Sequence, residues 1–177
     1  TGMFSIPLAQ ITQNRLYAVD PSDVQLKNLD RKKGGLNIVS IVSSLSESAA
    51  VELMKEDIGN IDFITSYGGI HHILDKEEDG IFINKQKEMF KNANIMLKKG
   101  GRFVAGDVGD NTDLSRHFEG SVKTHCLTGH HEKWLSTERL ENELLKDTDL
   151  VIEKVEQIPV KWHFNSEREL ALYMKGL

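Results

Sequence analysis

The chain has 177 residues, 39% hydrophobic and 28% charged, with a net charge of −5 and a pI near 5.8. That is one domain's worth of sequence with enough apolar residues for a core. The acidic balance and the lack of an extended Lys/Arg tract argue against nucleic acid as a partner, and no apolar run reaches the roughly 20 residues that span a bilayer.

Taken in order, the segments alternate between strand and helix with short connections, which predicts an α/β domain with a mainly parallel sheet and helices on both faces. Thr1-Gly2-Met3-Phe4 reads as a turn entering a helix, so we expect sequence before Thr1. Met3 to Ile11 is the first helix and Leu16 to Val19 a short strand ending at Asp20. Pro21-Ser22-Asp23 starts a helix that runs to about Lys33, with proline and acid in front and Arg31-Lys32-Lys33 behind, where cations suit the dipole. Leu36 to Val42 is a β-branched strand, and Ser46 to Lys55 a helix capped by Ser46 or Ser48. Ile61 to Ser66 is a strand, followed by a loop over Tyr67 to Gly80.

In the next helix Phe82, Gln86, Met89, Phe90, Ala93 and Leu97 fall on one face, Lys98-Lys99-Gly100-Gly101 ends it, and Arg102 to Gly106 is a strand. Residues 107–135 show no period and predict an insertion or lid on the substrate side. Ser136 to Lys146 is helical and Leu150 to Phe164 strand-like, with Ile158, Val160, Trp162 and Phe164 on one face. Ser166-Glu167-Arg168-Glu169 is a capping box for a last helix.

Two residues give this pattern a chemistry. Asp20 ends the strand about 18 positions after Gly2. In dinucleotide-type folds an acid about 20 residues past the glycine turn takes hydrogen bonds from ribose hydroxyls, because its two oxygens suit a vicinal diol. The same residue also reads as a cap before Pro21. Gly2, in the turn before a helix, lets a ligand approach backbone N–H groups, a signal that gains weight from the spacing to Asp20.

Thr1-Gly2, Tyr17-Ala18-Val19-Asp20, Ile61-Asp62-Phe63-Ile64-Thr65-Ser66 with Gly69-Ile70-His71-His72-Ile73-Leu74, and Leu97-Lys98-Lys99-Gly100-Gly101-Arg102-Phe103 follow in succession. This order resembles the class I S-adenosylmethionine-dependent methyltransferases, over residues 1 to about 106. The resemblance implies a Rossmann-like fold, S-adenosylmethionine as cofactor and methyl transfer to a small molecule. Thr1 and Gly2 resemble the tail of the family's glycine motif, and Asp20, followed by Pro21, matches its ribose-binding acid. Ser44 and Leu45 lie where the family holds adenine, with Ser44 in place of the acid common there. Ser66, Tyr67 and Gly68 lie where the fourth strand opens onto the methionine end. The family's first and last strands are not evident, so the resemblance implies a single domain incomplete at its N-terminus and C-terminus.

His71 and His72, at the open end of that strand, are candidate general bases; each also reads as a packing or turn residue. Tyr67 reads as a pocket wall or as a ring near the sulfonium. His117, His125, Cys126, His130 and His131 match no standard metal spacing, so no metal is expected. Asp107, Asp110, Asn111 and Asp113 read as a strand-end turn, and Trp134 and Trp162 as core or pocket wall. The single cysteine, Cys126, excludes an intrachain disulfide framework, and with no signal-peptide pattern it predicts a cytoplasmic setting. The glycine turn with Asp20 also suits an NAD-dependent oxidoreductase or a catalytically inactive binding subunit.

Overall fold

The computed structural model describes residues 2–125 and 131–175. Helix α1 spans Ser5–Thr12, strand β1 Leu16–Asp20, helix α2 Asp23–Lys32 and strand β2 Ile38–Val42. β1 and β2 pair in parallel from Leu16↔Ile38 to Asp20↔Val42. The alternation of side chains explains how both faces of this pair are covered. Ala18 and Ile38 pack with Ala9 of α1 and with Leu26 and Leu29 of α2. Tyr17, Val19, Val39 and Ile41 face the opposite way, toward Ala50, Met54 and Met96. α2 begins where proline and acid predict. Ser22 is its cap, accepting from Gln25 N at 3.4 Å, and Arg31 and Lys32 lie in its last turn.

Helix α3 is Ser48–Leu53, strand β3 Ile61–Tyr67, helix α4 Lys85–Met96 and strand β6 Leu97–Gly106. β3 and β6 pair in parallel from Phe63↔Arg102 to Tyr67↔Gly106, after a register shift. All four parallel strands run the same way. At their amino ends Arg15, just before β1, and Tyr17, its second residue, bind Asp57, a few residues before β3. At their carboxyl ends Leu45, after β2, packs against the cluster that includes Ile70, after β3, and Phe4 stacks on Tyr67 with ring centroids 6.3 Å apart. The molecule is therefore a Rossmann-like α/β fold with the carboxyl ends of its strands along one edge. Among the described residues the pairs β1–β2 and β3–β6 share no ladder.

Several expectations need correction. α3 is capped at Glu47 without a side-chain bond, not by Ser46 or Ser48. Ser46 is buried, with its hydroxyl 2.8 Å from that of Ser44. The loop after β3 holds a hairpin of β4 (Lys76–Glu78) and β5 (Ile81–Ile83). Its turn residues Asp79 and Gly80 have φ of 51° and 76°, the two positive values that an Asp-Gly hairpin turn supplies. Phe82 therefore belongs to β5 and is 70% exposed, rather than on the buried face of α4. The described part of residues 107–135 holds helix: α5 (Asp113–His117) runs through a π-helical turn at Phe118–Val122 into α6 (Lys123–His125), while residues 126–130 lie outside the described residues. The helix predicted over Ser136–Lys146 is α7 (Thr137–Arg139) with a second π-helical turn at Leu140–Leu144.

The segment from Val151 to Phe164 has no ladder partner among the described residues, and Ile158 and Val160 are 69% and 66% exposed. Alternation makes a strand only where an edge is at hand to pair with. The last helix, α8, is Glu167–Lys175. Ser166 Oγ caps it through Glu169 N. Glu169 Oε2 reaches one residue beyond the cap, accepting from Asn165 N at 2.7 Å, so the capping box is not closed. No described helix is long and apolar enough to cross a membrane.

Candidate functional site

In open α/β sheets, ligands lie outside the carboxyl ends of the strands, and the candidate residues gather there. Asp20 ends β1 half-buried. Its Oδ1 accepts from Ser22 N at 2.7 Å, which shapes the turn around the exposed Pro21 into α2. Asp20 is thus an Asx-turn residue rather than the helix cap. Its Oδ2 has no hydrogen-bond partner among the described residues.

Gly2 is buried with φ of 83°, and its C=O accepts from Ile6 N at 3.1 Å. A Cβ there would sit 2.7 Å from Ile6 Cδ1 and 3.0 Å from Leu29 Cδ1. Glycine is needed both for its backbone conformation and for the close approach of α1 to α2. Thr1 lies outside the described residues.

After β2, Ser44 and Leu45 form a tethered turn. Leu45 C=O accepts from Asn92 Nδ2 at 2.7 Å, and Glu47 N donates to Ser44 C=O at 2.9 Å. Lys85, itself buried at the start of α4, ion-pairs with Glu47 at 3.1 Å. Leu45 packs against both clusters flanking it, so its side chain is largely a core contact.

Ser66, Tyr67 and Gly68 end β3. Ser66 is half-buried, Tyr67 is 68% exposed, and Gly68 N donates to Gly106 C=O at 2.7 Å. The stack of Phe4 on Tyr67 brings the start of α1, with Gly2, to the end of β3.

The histidines sit on a turn, Ile70–His72, that is held from several sides. Asp107, the first residue after β6, reaches across the sheet edge to it. Asp107 Oδ1 lies 2.5 Å from His71 Nδ1 and accepts from Val108 N at 2.7 Å. Its Oδ2 accepts from Ile70 N at 2.7 Å and His71 N at 3.3 Å. Burial alone would raise the Asp107 pKa, but the hydrogen bond and charge of His71, with the N–H groups of Val108 and Ile70, outweigh it and hold the carboxyl below its usual range. Asp107 is therefore a clamp between two strand ends, more than the plain strand-end turn expected from sequence.

The other side of the turn is fastened by Gln86, fully buried on α4. Its Nε2 donates to Ile70 C=O at 2.9 Å and to Lys133 C=O at 2.7 Å, and its Oε1 accepts from Arg139 at 3.0 Å. Lys133 N donates to His71 C=O at 2.8 Å. The His71 ring is 5% exposed, lying between His72, at 3.9 Å between centroids, and Trp134, at 5.1 Å. His72 is exposed. Trp134 is 7% exposed and donates from Nε1 to Glu119 Oε1 at 2.5 Å, so it is a wall residue with its polar edge satisfied. Trp162, on the unpaired segment, packs edge-on against His117 and Tyr173.

Sequence reasoning missed Asp107 and Gln86 as parts of this site, while Trp134, read as core or pocket wall, is buried against His71. An acid directly after one parallel strand and a histidine in the turn after its neighbour were the available signal for Asp107. Of the possible metal ligands, Cys126 and His130 lie outside the described residues. Among those described, no three His, Cys, Asp or Glu side chains converge as a metal site.

A family model described as a methyltransferase domain matches residues 1–105. Among solved structures, the chain is similar to a SAM-dependent methyltransferase of Thermotoga maritima, described as a possible histamine N-methyltransferase. The TM-score is 0.52 at 22% identity, over 79% of this chain and 55% of that one. The likeness establishes the fold, and this chain spans about half the length of that structure. No curated protein is a significant match.

Proposed function

Because the chain belongs to the methyltransferase-domain family, we propose that the protein transfers a methyl group from S-adenosylmethionine to a small-molecule acceptor. Asp20 carries the reading. It is an acid at the end of β1, with one oxygen spent on its own turn and Oδ2 without a hydrogen-bond partner among the described residues, as suits a ribose-binding carboxylate. Gly2, Pro21, Ser44, Leu45, Ser66, Tyr67 and Gly68 border the same edge, and with Thr1 they make the cofactor-binding set. Ser44 and Leu45 take the adenine side, and Ser66, Tyr67 and Gly68 the methionine side.

The cofactor, when bound, supplies a methyl group on a sulfonium that is already activated toward in-line displacement. The chain's own work is to align the acceptor and exclude water. His71 and His72 supply the base where the acceptor gives up a proton. Of the two, His71 has the partner a base needs, a carboxylate held ionised on Nδ1. Residues 107–135 form the acceptor side, supported by Trp134 stacking on His71 and Lys133 bonding its carbonyl. The acidic charge and the absence of a basic tract support a small molecule over nucleic acid. The lone cysteine supports a cytoplasmic setting.

The test is thermal unfolding of the full-length protein with S-adenosylhomocysteine and, separately, NAD. S-adenosylhomocysteine is expected to raise Tm and NAD to leave it unchanged. A rise with NAD alone overturns the reading in favour of an oxidoreductase. No rise with either overturns it in favour of an inactive binding subunit.

A further inference from the structure

We infer that Asp107 is the positioning residue of this site: it holds His71 in the Nδ1–H tautomer, so that Nε2 is the basic nitrogen. The inference builds on the reading of His71 as a base but rests on separate geometry. Asp107 accepts from three backbone N–H groups and faces His71 Nδ1 at 2.5 Å. A carboxylate held ionised by these donors has only lone pairs to offer. Nδ1 must therefore carry the proton of the neutral ring, and the lone pair falls on Nε2. The ring cannot turn to exchange its nitrogens, because the turn is fixed on its other side by Gln86 and by Lys133 N and the ring itself is packed between His72 and Trp134.

The arrangement makes Asp107→Asn a sharp probe. The Oδ2 position receives two backbone N–H groups, from Ile70 and His71, and the Oδ1 position receives one, from Val108. An asparagine must put its oxygen where two donors point, since the reverse would set its NH2 against both. Its NH2 then faces His71 Nδ1 and Val108 N. Donating to Nδ1, it forces the ring to the Nε2–H tautomer and removes the lone pair from Nε2. Losing a base through the wrong tautomer lowers kcat with the fold intact.

The experiment is a long-range 15N–1H correlation of histidine side chains in the full-length protein without ligand, at about pH 9, well above the ordinary imidazole range. His71 is assigned by its loss in His71→Gln. In the natural protein the His71 Nδ1 shift should be that of a protonated nitrogen and Nε2 that of a bare one, and Asp107→Asn should exchange the two. A bare Nδ1 in the natural protein overturns the inference. So does a folded Asp107→Asn protein whose tautomer is unchanged. The natural-protein spectrum decides the matter even if Asp107→Asn does not fold. Because no cofactor is present, failure here is distinct from failure of the methyl-transfer reading, which S-adenosylhomocysteine binding decides.

Discussion

The turn after β1 and the turn after β6 each set an aspartate at the same edge of the sheet and use it in opposite ways. Asp20 is half-buried, commits one oxygen to its own turn and leaves the other without a hydrogen-bond partner among the described residues. Asp107 has both oxygens engaged and a side chain only 2% exposed. The difference teaches how one fold assigns two identical side chains. A carboxylate whose donors lie within its own turn keeps capacity for a ligand. One that satisfies donors on a neighbouring strand end becomes part of the frame that holds the chemistry in place.

The most severe way to break this comparison is Asp107→Ala. It strands three backbone N–H groups and the His71 ring, and unsatisfied buried donors cost about 1–3 kcal/mol each. We expect a loss of about 3 kcal/mol or more, a fall in Tm of roughly 6–12 °C, read by thermal unfolding. The same carboxylate predicts an acid limb. Its folded pKa lies below its unfolded value near 3.9. Its contribution is therefore complete above that value and is lost as pH falls through the folded pKa. Urea unfolding of Asp107→Asn below about pH 4 should show a shallower loss of stability than the natural protein.

Gln86→Leu comes next. It takes one bond from the Lys133 carbonyl, from the Ile70 carbonyl, which keeps Ile73 N, and from the Arg139 guanidinium, which keeps Glu143, an expected loss of about 1–2 kcal/mol by urea unfolding. Asp20→Asn sharpens the contrast. Asparagine keeps an oxygen for Ser22 N, so the unliganded Tm should hardly move. Replacing Oδ2 by NH2 should weaken S-adenosylhomocysteine binding about tenfold by titration calorimetry, the equivalent of ~1.4 kcal/mol. The smallest effect is expected at Gly80→Ala, which forces a side chain to a φ of 76°. It should cost about 1 kcal/mol and leave S-adenosylhomocysteine affinity unchanged.

How much of this was legible in the sequence follows from how local each signal is. β1, α2 and Asp20 were readable because their cues, Pro21, Ser22 and the terminal cations, lie within a few positions of what they cap. The clamp was not, because Asp107 and His71 are 36 positions apart and meet only when β3 and β6 pair. The β4–β5 hairpin was readable in principle from Asp79-Gly80, but the apolar run after it was absorbed into the period of α4. α5 and α6 were hidden because the extra residue of a π-helical turn breaks the 3.6-residue period between them. Residues 151–164 erred the other way, since alternation predicts a strand without supplying an edge to join.

The most direct measurement is S-adenosylhomocysteine binding by titration calorimetry to three full-length proteins: natural, Asp20→Asn and Asp107→Asn. The account predicts that the natural protein binds, that Asp20→Asn binds about tenfold more weakly, and that Asp107→Asn binds as the natural protein does. Absent binding to the natural protein, or a loss at Asp107→Asn as large as that at Asp20→Asn, would contradict it.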